Sequence, residues 1–204
     1  MGRLLLGQGP EPGTLVEWVA GGEGCGAVTL ALAVAARVMG RGGACVLVDP
    51  AGEFYPPALA RLGVPLERTV IVRPPAPRDG LWAWEQALRC PGVAVALGPV
   101  AGLTDRHYYR LQLAAEAGGG LGFLLRPPAL CDAPSRAAVR LRVSARPGPG
   151  PPHPPSRRLN VELLHCRGAA AGATVELELD HETGDVRLVS ELADFELEPV
   201  AALA

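Results

Sequence analysis

The chain has 204 residues, 19 basic and 21 acidic, with a net charge of −2. That is one domain's length, enough to bury about 70% of the unfolded surface in a core. The near-neutral balance excludes a strongly cationic nucleic-acid coat and a polybasic membrane tail. All 19 basic residues are arginine, which closes every mechanism that needs a lysine: a Schiff base, a lysine general base, or a phosphate-loop NTPase with its lysine intact.

The elements follow in chain order. Thr14 to Ala20 reads as a strand and a Gly-rich turn follows it. Ala27 to Met39 is helical by its Ala and Leu content. Ala44 to Asp49 is a short apolar run ending in an acid, the pattern of a buried parallel strand. Pro56 to Leu62 predicts a short helix with Pro in its first turn. Thr69 to Arg73 is a strand, and Asp79 to Arg89 a helix with Asp79 as its N-cap. Val93 to Leu97 and Leu121 to Leu125 are strands separated by a helix from Asp105 to Ala117. Repeated β-α-β units imply a parallel sheet with helices on its faces.

The last third alternates apolar and polar residues over 138–145, 158–165, 174–179 and 185–189, with a turn at Asp180 to Asp185. The expected fold is therefore α/β, a mostly parallel twisted sheet flanked by helices and ending in an antiparallel β-meander. A single domain is expected, with an N-terminal segment over 1–13, a parallel core over 14–136, antiparallel strands over 137–190 and a tail over 191–204. The segment 146–157 is too Pro-rich for regular structure and reads as a stiff loop inside that domain.

Met1 to Leu6 is too short for a signal peptide, and no run of about 18 apolar residues is present to span a bilayer. A cytoplasmic protein is expected. Five cysteines (25, 45, 90, 131, 166) form no CxxC pair and read as reduced thiols, with no zinc site or disulfide framework.

The turn after the first strand is Gly21, Gly22, Glu23, Gly24, Cys25, Gly26, Ala27, Val28. A phosphate loop has the form G-x-x-x-x-G-K-[ST] between a strand and a helix. Gly21 and Gly26 keep the glycine spacing, but Ala27 stands in the lysine position and Val28 in that of the magnesium-binding hydroxyl. Backbone N–H groups at the helix start remain able to cradle an anion. A tight turn that packs helix against strand accounts for the same residues.

Thr14 to Leu30 resembles the first strand, phosphate loop and helix of the RecA recombinase core. Val48 to Pro74 is similar to its second strand, acidic turn and third strand, and Leu81 to Leu103 to the next helix and the Walker B strand. The resemblance spans about residues 4–190. It implies a RecA-like fold, and it places the catalytic glutamate at Ala51, with Glu53 two residues on, and the Walker B aspartate at Gly98. It also puts the γ-phosphate-sensing glutamine near Arg126 or Pro127, and the lysines that reach a neighbour's ATP at His165 and Arg167. Phosphoryl transfer rests on positioning and charge neutralisation, and these positions retain almost none of either. Neither ATP nor any other cofactor is expected to bind. One DNA-binding loop is read as deleted, because Leu103 to Asp105 leads straight into a helix, and the other, around Arg126 to Arg136, as shortened.

Within RecA-like proteins, Val48 to Pro74, Leu81 to Arg89, Arg110 to Glu116 and Arg158 to Gly168 resemble the ImuA family. That resemblance implies a non-catalytic accessory protein of SOS-linked mutagenic translesion synthesis, partnered by RecA or by ImuB, a polymerase-like protein. An error-prone C-family polymerase completes the cassette. Two alternatives stay open. One is a residual ATP-gated DNA-binding ATPase in which Arg126 or Arg167 replaces the lysine. The other is a SulA-like inhibitor of FtsZ, whose pattern is not evident in the residues.

The densest basic cluster is Arg136, Arg140, Arg142, Arg146, Arg157 and Arg158. It is a candidate for weak phosphate contact, with Glu162, Glu176 and Glu178 as candidate neutralising partners across the sheet. Trp82 and Trp84 point to different sides of one helix, so burial of both and burial of one are both open. Tyr108 and Tyr109 are candidates for base stacking or for core packing.

Overall fold

The computed structural model describes residues 10–40, 42–100, 102–146, 156–167, 171–180 and 183–190. The start of the chain, most of the Pro-rich segment and the tail lie outside the described residues. In chain order the elements are β1 (Leu15–Ala20), α1 (Ala27–Met39), β2 (Ala44–Val48), α2 (Pro56–Arg61) and β3 (Thr69–Val72). Then come α3 (Pro77–Arg89), β4 (Val93–Pro99), α4 (Asp105–Gly118) and β5 (Leu121–Arg126). The last four strands are β6 (Val139–Arg146), β7 (Ser156–Cys166), β8 (Thr174–Asp180) and β9 (Val186–Ser190).

Among the described residues, nine strands form one sheet in the order β3-β2-β4-β5-β1-β6-β7-β8-β9. The strands from β3 to β6 are parallel, and β6 to β9 pair antiparallel. The change of direction falls inside the sheet, because β6 lies parallel to β1 on one side and antiparallel to β7 on the other. β1, β2 and β5 are buried along nearly their whole length, which is why they read as unbroken apolar runs. β7 and β8 alternate because only one of their faces packs on the core.

The core lies on both sides of the sheet. On one side α1 inserts Leu30, Ala31, Val34, Ala35 and Met39 against β1, β2, β4, β5 and β6. On the other, α3 and α4 insert Trp84, Ala87, Leu88, Tyr108, Leu111 and Ala114. The two tryptophans separate, Trp84 being buried and Trp82 exposed. α3 starts at Pro77 with Ala76 as its N-cap, so Asp79 is in the first turn and not the cap. Proline suits the first helical position because the N–H it lacks would have no partner there, and Asp79 still faces the positive end of the helix dipole. α4 begins directly at Asp105, capped by Thr104 and His107 in a reciprocal pair. The chain therefore passes from β4 into this helix with no long intervening loop.

Candidate functional site

The Gly-rich turn joins β1 to α1, and both motif glycines are held by the antiparallel strands. Gly21 N donates to Val143 O at 2.7 Å. A Cβ on Gly21 would come within 2.2 Å of Ser144 Oγ. Gly26 has φ +87°, and a Cβ there would stand 2.8 Å from Leu159 Cδ2. The glycines thus serve close packing of the turn against β6 and β7, and only Gly adopts such a φ freely. Cys25 and Ala27 are buried, whereas Val28 is partly exposed. Gly22, Glu23 and Gly24 occupy the tip, and Glu23 is exposed there. A carboxylate at the tip opposes an incoming phosphate.

The RecA resemblance also points to Gly98 and Ala51. At Gly98 a Cβ would lie 2.2 Å from Val48 O, so the backbone of β2 fills the space a side chain on β4 would need. Ala51 is exposed on the turn after β2, and Glu53 is exposed nearby. Asp49, which ends β2, is buried. It accepts hydrogen bonds from Glu53 N at 2.8 Å and Phe54 N at 3.2 Å, and lies 3.7 Å from Arg73 Nε. Its carboxylate shapes the turn. A cavity of about 310 Å³ opens beside α1, lined by Val28, Phe54 and Tyr55 among others, with Glu53, Arg61 and Asp180 as its charged members. Among the described residues no group of three or more His, Cys, Asp or Glu is placed to hold a metal ion. No helix among them is long and apolar enough to cross a membrane.

The most concentrated charge lies in the middle of β1. Glu17 is fully buried. In register it faces Arg140 on β6, with Oε2 2.9 Å from Arg140 Nε. Oε1 is 3.3 Å from Arg126 Nε and accepts a hydrogen bond from the Tyr108 hydroxyl on α4. The arginines reach onward: Arg126 Nη1 donates to Val100 O at 2.7 Å, and Arg140 donates to Ala133 O at 2.8 Å and Leu130 O at 2.5 Å. One carboxylate therefore ties β1 to β5, β6, α4 and the segment after β5. Burial, and next the bond to Glu17, push the Tyr108 hydroxyl up to about 12.

This cluster escapes sequence reading. Strict alternation along 138–145 sends Arg140 and Arg142 to one face, but not whether that face is covered. Arg140 is covered and only 8% exposed, so it is corrected from a phosphate-contact candidate to a buried ion-pair member. Arg126 is likewise buried and committed to Glu17, so it cannot replace a phosphate-loop lysine. The one available signal was a lone acid inside the apolar run of β1.

The remaining arginines divide in two. Arg142 pairs with Glu162, Arg146 with Glu176 at 3.1 Å, and Arg136 with Asp105 at 2.8 Å. The Arg136 hydrogen bond holds the Asp105 carboxyl below its ordinary range. Arg157 and Arg158 have no side-chain partner among the described residues, and Arg158 is exposed. His165 and Arg167 are exposed near the end of β7.

No family model matches the chain. The fold is similar to that of a RadB recombinase crystal structure, with a TM-score of 0.70 at 18% identity, covering 92% of this chain and 96% of that one. A stretch of 91 residues is 35% identical to the cell division inhibitor SulA of Edwardsiella piscicida, covering 43% of this chain and 54% of that protein. That partial likeness was not legible in the residues alone. A longer match, of 174 residues at 34% identity, joins the chain to Protein ImuA of Caulobacter vibrioides and covers 77% of this chain and 70% of that one. On that extent of likeness, and with the RecA-like fold beneath it, the chain belongs to the ImuA family.

Proposed function

We propose that the chain is a non-catalytic RecA-like accessory protein of SOS-linked mutagenic translesion synthesis. It acts in the cytoplasm by binding RecA or an ImuB-like polymerase-family protein, without a nucleotide cofactor. The observation that carries this reading is Gly98. Where a RecA-like ATPase places its metal-binding aspartate, the neighbouring strand leaves no room for a Cβ. Ala27 and Val28 in the lysine and hydroxyl positions support it, since phosphoryl transfer without charge neutralisation has little to work with. DNA contact is weak in this reading, because Arg157 and Arg158 alone of the arginine candidates lack a side-chain partner among the described residues.

The test is a binding titration against purified RecA and against the ImuB-like protein of the same genome, with ATP turnover measured in parallel. Saturable binding to one of them with turnover at the buffer baseline is expected. Binding to neither overturns the reading. The partial likeness to SulA favours a second reading, inhibition of cell division. Arrest of FtsZ polymerisation at stoichiometric chain would support that one instead.

A further inference from the structure

The first turn of α4 is closed by an acceptor that titrates. Thr104 precedes the helix. Its Oγ1 accepts from His107 N at 3.4 Å, and its own N–H donates to His107 Nδ1 at 3.3 Å. In the common form of this reciprocal cap the third helical residue is Glu or Gln, and a side-chain oxygen accepts. An ionised carboxylate or an amide accepts at neutral and mildly acidic pH alike. An imidazole does not. Nδ1 accepts only in the neutral ring whose proton is on Nε2, and in the charged ring both nitrogens are donors. Protonation therefore sets Nδ1–H against Thr104 N–H, donor to donor. It also puts a positive ring into the first turn, beside the positive end of the helix dipole. The two effects act in the same direction.

The neighbouring charges do not cancel them. On α4 itself Asp105 and Arg106 flank the same turn. Both oxygens of Asp105 are taken by Arg136, from the segment before β6, at 3.2 and 2.8 Å. Arg106 has no side-chain partner among the described residues. Arg110, one turn on, is held by Glu85 of α3, and at the start of α3 Arg78 lies 3.7 Å from Asp79. Behind the turn, Glu17 is matched by Arg126 and Arg140. Each of these carboxylates is engaged by an arginine, so none of them is left over as a counter-charge for an imidazolium.

The turn is also a junction. Asp105 holds the segment before β6, and Tyr108, the next residue after His107, reaches buried Glu17 with its hydroxyl. Thr104 is exposed and His107 partly exposed, so protons reach the cap from solvent. Beyond it α4 is anchored by buried Tyr108, Leu111, Ala114 and Ala115. We propose that the start of α4 is a pH-sensitive latch. Neutral His107 closes the cap; protonated His107 opens it and loosens residues 104–107, while the rest of the helix stays in place. Histidine suits this role because it ordinarily changes charge between about pH 5 and 8. The latch is independent of the scaffold reading above.

The test is heteronuclear NMR of the full chain across that range, following the His107 ring and the Thr104 amide. At the alkaline end the ring proton is expected on Nε2. As pH falls, protection of the Thr104 amide against exchange, normalised to the intrinsic rate at each pH, is expected to drop about fivefold, the worth of one helix cap. The drop should follow the charging of His107 and not that of His165, which is exposed on β7. His107→Gln keeps an acceptor that never charges, and its protection is expected to stay flat across the range. A ring proton on Nδ1 at the alkaline end overturns the proposal. So does a drop of the same size in His107→Gln, or protection in the unaltered chain that does not change as His107 charges.

Discussion

Two neighbouring stretches of the molecule treat charge in opposite ways. In the middle of β1, Glu17 is surrounded by Arg126, Arg140 and Tyr108. Immediately after the same strand, the turn from Gly21 to Val28 has glycines packed on β6 and β7 and an alanine and a valine in the charged and hydroxylated positions. The first stretch spends ionic chemistry on holding elements together. The second uses its glycines for close packing and carries no charged side chain except exposed Glu23. Packing alone can therefore account for glycines at this spacing, and glycine spacing is by itself poor evidence of a reaction.

The comparison breaks most visibly at Glu17. Glu17→Ala leaves two buried guanidinium groups without their carboxylate, and a loss of about 3–5 kcal/mol in urea unfolding is expected. Glu17→Gln keeps hydrogen-bonding capacity and should cost less. A loss for Glu17→Ala below about 1 kcal/mol would show that the cluster does not hold the strands. On the other side of the comparison, Gly98→Asp places a carboxylate where the backbone of β2 already stands. It should destabilise by about 3 kcal/mol and bring no magnesium-dependent ATP binding. A stable variant that gains such binding would mean the site is closed by one residue only.

Alkaline pH sharpens the same contrast. Burial raises the Cys45 thiol from 9.0 to about 12, and Tyr108 is raised from 10.0 to about 12. In both groups the folded protein holds the proton more tightly than the unfolded chain does. The stability this supplies is complete below the unfolded values and is lost as pH rises through the folded ones. Stability should therefore fall between about pH 9 and 12, by at most about 1.4 kcal/mol per pH unit for each group. Tyr108→Phe should flatten the upper part of that window, and an unchanged slope in the variant would remove Tyr108 from the account. The smallest effect belongs to the surface. Arg136→Ala removes an exposed pair with Asp105, and the thermal midpoint is expected to stay within error, because solvent screens such pairs.

Much of this architecture was legible in the residues. The apolar runs at Ala44 and Leu121 are buried strands because helices cover both faces, and the alternation at Thr174 marks a sheet with one wet face. What was not legible depends on long-range contact. Alternation along β6 cannot say that Arg140 is covered while Arg142, two residues on, is not. Nor can it say that β6 runs parallel to β1. Pro77 and not Asp79 opens α3 because the local turn decides which residue caps, and spacing alone leaves both open. The glycine spacing of the turn after β1 could be read directly, but not that Gly21 and Gly26 pack on β6 and β7. The backbone crowding at Gly98 could not, because it needs the neighbouring strand.

Calorimetric titration of the full chain with ATP and magnesium tests the central claim most directly. The account predicts no saturable heat up to millimolar nucleotide. Micromolar binding that disappears when the magnesium is chelated would contradict it.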